Sequence, residues 1–110
     1  MTLISPPEYI ALTAEEKAEI CNGCGSRDGI NVPDTILGLS IKEPCQIHDY
    51  FYSIGTTNTD KSYADDVFFF NMVMLISKGN FFLRPFRLMR AYDYYMAVVV
   101  GGDSAFWRAK

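Results

Sequence analysis

The stretch CQIHDYFY, residues 45–52, decides how this chain is interpreted, because it holds the only histidine among 110 residues. In a helix, residues four apart lie on one face, so His48 and Tyr52 would point the same way. Asp49 would point about 100° away from His48, since each residue turns a helix by that angle. One helical turn would therefore present an imidazole to one site and a carboxylate to a neighbouring site.

The length and composition predict one folded domain that covers residues 1–110. The chain is 49% hydrophobic and 15% aromatic, which excludes an intrinsically disordered protein. The formal net charge is −3 and no basic block is present, so nucleic acid is not an expected partner. No apolar run approaches the ~20 residues that span a bilayer, and residues 1–9 lack a signal-peptide pattern.

Capping residues, glycines and prolines predict four helices and a long loop. The first helix is expected from about Ala14 to Cys21, with Thr13 and Glu16 forming a capping box. The glycine-rich loop follows over residues 22–40, and loops of this length are usually functional. The next helix is expected from a cap at Ser40 to about Ile54.

The C-terminal half is expected to contain two further helices. One begins with a cap at Asp60 or Ser62 and extends to about Ser77, and the other covers about residues 86–100. Their inward faces are predicted to consist of Asp65, Phe68, Phe69, Met72 and Ile76 in the first, and Leu88, Tyr92, Tyr95 and Val99 in the second. Phe106 and Trp107 are expected to dock, and Pro6-Pro7 predicts an extended N-terminus. The domain is therefore predicted to be all-α.

Three motifs in this order resemble the phospholipase A2 superfamily. They are the glycine-rich loop with Cys24-Gly25, the pattern C-x-x-H-D-x-x-Y over residues 45–52, and A-D-x-x-F over residues 64–68. The short interval between His48 and Asp65 is similar to the compact bacterial, fungal and parvoviral branches. The resemblance covers about residues 22–72, and it implies two antiparallel catalytic helices with a calcium loop before them and additional packing helices.

The resemblance implies a role for each matching residue. His48 would be the general base that activates a water for attack on the sn-2 ester of a glycerophospholipid, releasing a fatty acid and a lysophospholipid. Asp65 would bond the far nitrogen of His48, and Tyr52 would hold that aspartate in place. The expected partner is a phospholipid membrane surface or micelle, and a secreted or extracytoplasmic location is favoured.

The resemblance also implies a Ca²⁺ ion and a disulfide bond. Asp49 would supply a carboxylate to the ion, and the loop would supply the backbone carbonyls of Gly23, Gly25 and Arg27. The implied disulfide joins Cys24 to Cys45 and leaves Cys21 as a free thiol.

Two other interpretations remain open from the residues. Cys21, Cys24, Cys45 and His48 have the spacing of a structural zinc site, which would use the same histidine. A phospholipase-like protein that binds lipid without turnover is the other. Two groups of residues outside these motifs also have two interpretations each. The phenylalanines either belong to the core or contact lipid, and they are Phe68-Phe69-Phe70 and Phe81-Phe82. The arginines either form a solvated helical face or contact phosphate head groups, and they are Arg84, Arg87 and Arg90.

Overall fold

The structure, a computed structural model, describes residues 3–20, 33 and 35–107 and is predominantly helical. Six helices are described: α1 (Pro7–Ile10), α2 (Ala14–Ile20), α3 (Lys42–Ile54), α4 (Asn58–Lys78), α5 (Arg84–Gly101) and α6 (Asp103–Trp107). Two short antiparallel strands, β1 (Thr35–Ile36) and β2 (Leu39–Ser40), precede α3. The predominantly α prediction is confirmed, and the hairpin is an addition to it.

Helices α3 and α4 form the antiparallel pair that carries the central motif. Tyr52 near the end of α3 shares a buried cluster with Ala64 near the start of α4, whereas Cys45 at the start of α3 packs with Met72 further along α4. Gly55 ends α3 in an extended conformation, and Thr57 begins α4 with a capping box completed by Asp60. The two helices therefore run in opposite directions through a three-residue connection.

The main core lies where α3, α4 and α5 meet the hairpin. Its buried members are Ile36, Ile41, Cys45, Phe68, Met72, Ile76, Ala91 and Val98. A second cluster places α1 against the α3–α4 pair through Tyr9, Ile47, Tyr50 and Val67. These contacts fix α3 on two sides, so the residues of its central turns are held rigidly.

Several local predictions about helix ends are wrong. Pro6 is the N-cap of α1 and Pro7 its first residue, because a proline is tolerated where no N–H is needed. The N-cap position of α3 is Ile41 and not Ser40, although the Ser40 hydroxyl accepts a hydrogen bond of 3.4 Å from the Lys42 N–H at the start of the helix. Thr57 caps α4 instead of Asp60 or Ser62. The capping box of Thr13 and Glu16 on α2 is confirmed by both of its hydrogen bonds.

The predicted inward face of α5 is only partly right. Leu88 packs against the main core and Tyr95 is half-buried, whereas Tyr92 and Val99 are exposed. The fully buried residues are Arg87, Ala91 and Val98, so the centre of the face is displaced by one position, about 100° around the helix. Apolar residues lie on all sides of α5, so their periodicity did not select the face. Arg87 is buried because its guanidinium donates a hydrogen bond of 2.9 Å to the Leu37 carbonyl in the hairpin.

The inward face of α4 is largely as predicted. Asp65, Phe68, Met72 and Ile76 are buried, and Phe69 is half-buried. In the tail, Phe106 is fully buried whereas Trp107 remains partly exposed. None of the described helices has the length and apolar character required to cross a membrane.

Candidate functional site

A buried histidine–aspartate pair joins α3 to α4. The Nε2 atom of His48 lies 2.8 Å from Oδ1 of Asp65, and the two residues are only 6% and 2% exposed. Position 48 faces α4 because it follows the buried residues Pro44 and Cys45 at helical spacing. The sequence motif and the fold thus converge on one contact between residues 17 positions apart.

Two further side chains complete the coordination of the aspartate. The Tyr52 hydroxyl donates to Oδ1 of Asp65 at 2.6 Å, and the Lys61 ammonium donates to Oδ2 at 2.9 Å. Both carboxylate oxygens are therefore engaged. Charge-assisted hydrogen bonds of this length are among the stronger ones in proteins, so the carboxylate is held in one orientation.

Lys61 is the member of this site that the sequence analysis missed. It is 6% exposed, and its ammonium also donates to the carbonyls of Val98 at 3.1 Å and Val99 at 3.4 Å. These carbonyls belong to the last turn of α5, where a helix favours a cation. The sequence does contain a pattern that indicates this pair: Lys61 and Asp65 are four residues apart, which places both on one face of a helix.

Aromatic rings hold the imidazole from two directions. The centroid of the His48 ring lies 4.1 Å from that of Tyr52 and 4.8 Å from that of Phe68. Tyr52 is itself backed by Phe106, with ring centroids 5.1 Å apart in an edge-to-face arrangement. The short helix α6 thus supports the site through Tyr52.

The protonation states follow from burial and hydrogen bonding. Burial lowers the pKa of His48 below its ordinary value of 6.5, although Asp65 opposes this effect. Burial raises the pKa of Asp65, but the hydrogen bonds from His48, Tyr52 and Lys61 outweigh it and leave that pKa lowered. Burial and the bond to Asp65 raise the pKa of Tyr52, which stays a donor.

These states define the tautomer of the histidine. An ionised Asp65 is an acceptor only, so the neutral imidazole carries its proton on Nε2. Nδ1 is then the nitrogen with a lone pair for a proton. A buried, oriented, neutral imidazole next to a carboxylate is the arrangement that general-base catalysis requires.

Asp49 is the one proposed calcium ligand among the described residues. It is half-buried on the same turn as His48, and the four-residue network around Asp65 does not include it. Gly23, Gly25 and Arg27, together with Cys21 and Cys24, lie outside the described residues. Within residues 3–20, 33 and 35–107, no three histidine, cysteine, aspartate or glutamate side chains converge on a common metal position.

A cavity of about 250 Å³ lies on the Lys61 side of the network. Lys61, Asp65, Asp66, Tyr95 and Asp103 contribute to its lining, and the Tyr95 hydroxyl donates to Asp66 at 2.8 Å. His48 does not line this cavity. It therefore lies behind the aspartate, and it does not give access to the imidazole.

No family model, no curated protein and no solved structure matches this chain. The function is consequently argued from the side chains and their geometry.

Proposed function

We propose that this protein is a calcium-dependent phospholipase A2 that hydrolyses the sn-2 ester of glycerophospholipids. The observation that carries the proposal is the 2.8 Å contact between His48 Nε2 and Asp65 Oδ1, with Tyr52 on the same carboxylate oxygen. A histidine and an aspartate in contact on the surface of a helix would not indicate catalysis. In this protein the pair is buried and its tautomer is defined, which is what a general base needs in order to take a proton from water.

His48 would take a proton from a water molecule at Nδ1 while that water attacks the ester carbonyl. Asp65 would stabilise the imidazolium that forms, and Tyr52 would keep the carboxylate in place. His48 would then return the proton to the leaving alkoxide, which gives the free fatty acid and the lysophospholipid. Lys61 would hold the second carboxylate oxygen, so that Asp65 keeps its orientation as the charge on His48 changes.

The residues that would hold Ca²⁺ fit a hard cation by their chemistry. Asp49 offers a carboxylate next to the base, and the resemblance assigns the carbonyls of Gly23, Gly25 and Arg27 as the other protein ligands. When bound, the ion would supply positive charge to the oxyanion of the ester. The proposed enzyme also holds Cys45 in a disulfide bond, and the resemblance gives Cys24 as its partner.

The test is release of fatty acid from mixed micelles of phospholipid and detergent. We expect turnover that needs Ca²⁺ and stops when EDTA is added. His48→Gln should lower it by about a hundredfold or more, which is the usual contribution of a general base, while the circular dichroism spectrum is unchanged. Ser53→Ala, an exposed change on the same helix, is the matched control and should retain activity.

Retained turnover in His48→Gln would refute the mechanism. Absence of turnover in the wild-type protein with Ca²⁺, combined with lipid binding, would leave a non-catalytic lipid-binding protein.

Elemental analysis separates the zinc interpretation, which predicts stoichiometric zinc and metal-protected thiols. The phospholipase proposal predicts no zinc and a single free thiol in the denatured protein.

A further inference from the structure

We propose that the turn between α4 and α5 docks this protein onto bilayers that contain anionic phospholipids. The surface in question, which we name the phenylalanine corner, consists of Phe81, Phe82, Phe86 and Met89. The inference rests on the proposed function for the choice of lipid as partner. Its test measures binding alone and requires no hydrolysis.

The corner exposes large apolar side chains at high density. The exposed fractions are 70% for Phe81, 82% for Phe82, 59% for Phe86 and 67% for Met89. The rings of Phe81 and Phe82 contact each other edge to face, with centroids 5.9 Å apart. Apolar surface of this kind lowers the free energy of a protein only when it is removed from water, so a concentrated patch marks a contact surface.

The charge around the corner favours an anionic partner. The protein carries a net charge of −3, yet residues 67–92 contain four of its ten basic residues and none of its thirteen acidic residues. Lys78 and Arg90 are exposed beside the corner, and the Arg84 guanidinium lies over the Phe81 ring at 5.4 Å. Basic residues next to an anionic bilayer each strengthen binding about fivefold, and apolar side chains then enter the interface.

The tip of the hairpin also exposes an apolar side chain, at a cost in backbone energy. Leu37 has a φ of 47°, in the left-handed region that a branched residue rarely adopts, and its side chain is 45% exposed. The guanidinium of Arg87 on α5 donates a hydrogen bond to the Leu37 carbonyl, and it also lies against Gly79 at the end of α4. Leu37 is thereby held at the tip of the hairpin with its side chain exposed to solvent.

The phenylalanine corner lies far from the His48 site. Lys78 lies thirteen residues beyond Asp65 on α4, about 20 Å along the helix axis. Substitutions at the corner therefore leave the His48 site intact.

The experiment is sedimentation of the full chain with phosphatidylcholine vesicles prepared with and without phosphatidylglycerol. The His48→Gln variant is used throughout, so that no lipid is consumed. We expect preferential binding to the anionic vesicles, weakened by salt. The double change Phe81→Ser and Phe82→Ser should lower partitioning about tenfold or more, because two large apolar side chains are lost. Arg84→Gln with Arg90→Gln should lower it about thirtyfold and weaken the salt dependence, of which Lys78 retains a part.

Matched controls are Ile54→Ser and Ile10→Ser, which change exposed isoleucines elsewhere and should alter partitioning by no more than about twofold. Phe86→Ser with Met89→Ser tests the same surface if the first pair misfolds by circular dichroism. Equal binding to neutral and anionic vesicles, or equal losses in the controls, would overturn the proposal. So would a wild-type dimer in sedimentation velocity that the phenylalanine changes dissociate, because the partner would then be a second copy. If binding holds and hydrolysis is absent, only the proposed function fails.

Discussion

At the scale of single residues, Asp65 carries the electrostatics of the site. His48 and Tyr52 bond one of its oxygens, and Lys61 bonds the other. Burying a lone carboxylate would cost several kcal/mol, so these partners are what allow it to remain ionised in the core. The same three partners fix its orientation toward the imidazole.

Removal of the lysine should therefore destabilise the fold. Lys61→Met leaves Asp65 without its cationic partner and removes the ammonium donor from the carbonyls of Val98 and Val99, although the Gly102 N–H still donates to Val98. We expect the free energy of unfolding to fall by about 3 kcal/mol, measured by urea denaturation. Lys42→Met, at an exposed position, is the control and should change it by no more than about 0.5 kcal/mol. An equal loss in both variants would show that the buried contact is not the cause.

The lowered pKa of His48 predicts how activity and stability respond to acid. His48 takes up a proton near pH 6.5 in the unfolded chain, but in the folded chain it does so only at a lower pH. The contribution of His48 to stability is therefore complete above pH 6.5 and is lost as the pH falls through the folded pKa. The acid limb of kcat/KM for phospholipid should have its midpoint below 6.5. Because this is the only histidine, its proton NMR titration should give the same value, and a midpoint at or above 6.5 in both would contradict the assignment.

At the scale of elements, the start of α4 determines the alignment of Asp65 with His48. Thr57 accepts a hydrogen bond of 3.1 Å from the Asp60 backbone, and the Asp60 carboxylate accepts one of 3.1 Å from the Thr57 backbone. These bonds begin the helix after only three connecting residues. The turn that carries Lys61 and Asp65 follows immediately, so the cap sets its position.

The cap can be tested by a single substitution. Thr57→Ala removes the side-chain acceptor at the N-cap and should lower the free energy of unfolding by about 1 kcal/mol. Thr59→Ala lies two residues further, inside the helix, and should cause no loss because alanine has the higher helix propensity. Thermal unfolding of the two variants compares them directly. A smaller effect for Thr57→Ala than for Thr59→Ala would rule out the cap as a stabilising feature.

At the scale of the whole molecule, the two ends of the α4–α5 pair differ in character. One end holds the buried network of His48 and Asp65 and is closed by α6. The other end presents the phenylalanine corner and most of the local positive charge. A single pair of helices thus separates a polar interior from an apolar surface.

Phe106 is the buried side chain among those that the structure describes in α6. Phe106 is fully buried against Tyr52, and its ring occupies the space that a Cβ on Gly55 would need. Phe106→Ala should lower the free energy of unfolding by about 3–5 kcal/mol, as for other large-to-small changes in a core. Val100→Ala, at an exposed position nearby, should have little effect. If chemical denaturation gave similar free energies of unfolding for Phe106→Ala and Val100→Ala, the packing of α6 would contribute nothing to the stability of the fold.

The sequence by itself determined the features that depend on near neighbours. The spacing of His48 and Tyr52, the aspartate after the histidine and the predominantly helical pattern are all local. The contact of His48 with Asp65 joins distant residues, and it was implied by the resemblance of the motifs to the phospholipase A2 superfamily. Tertiary structure decided the rest, because burial depends on residues distant in the chain. Lys61 is buried because the end of α5 supplies carbonyls to it in addition to the carboxylate of Asp65. The inward face of α5 likewise follows from its contact with the hairpin, since apolar residues on every side of that helix left its orientation undetermined.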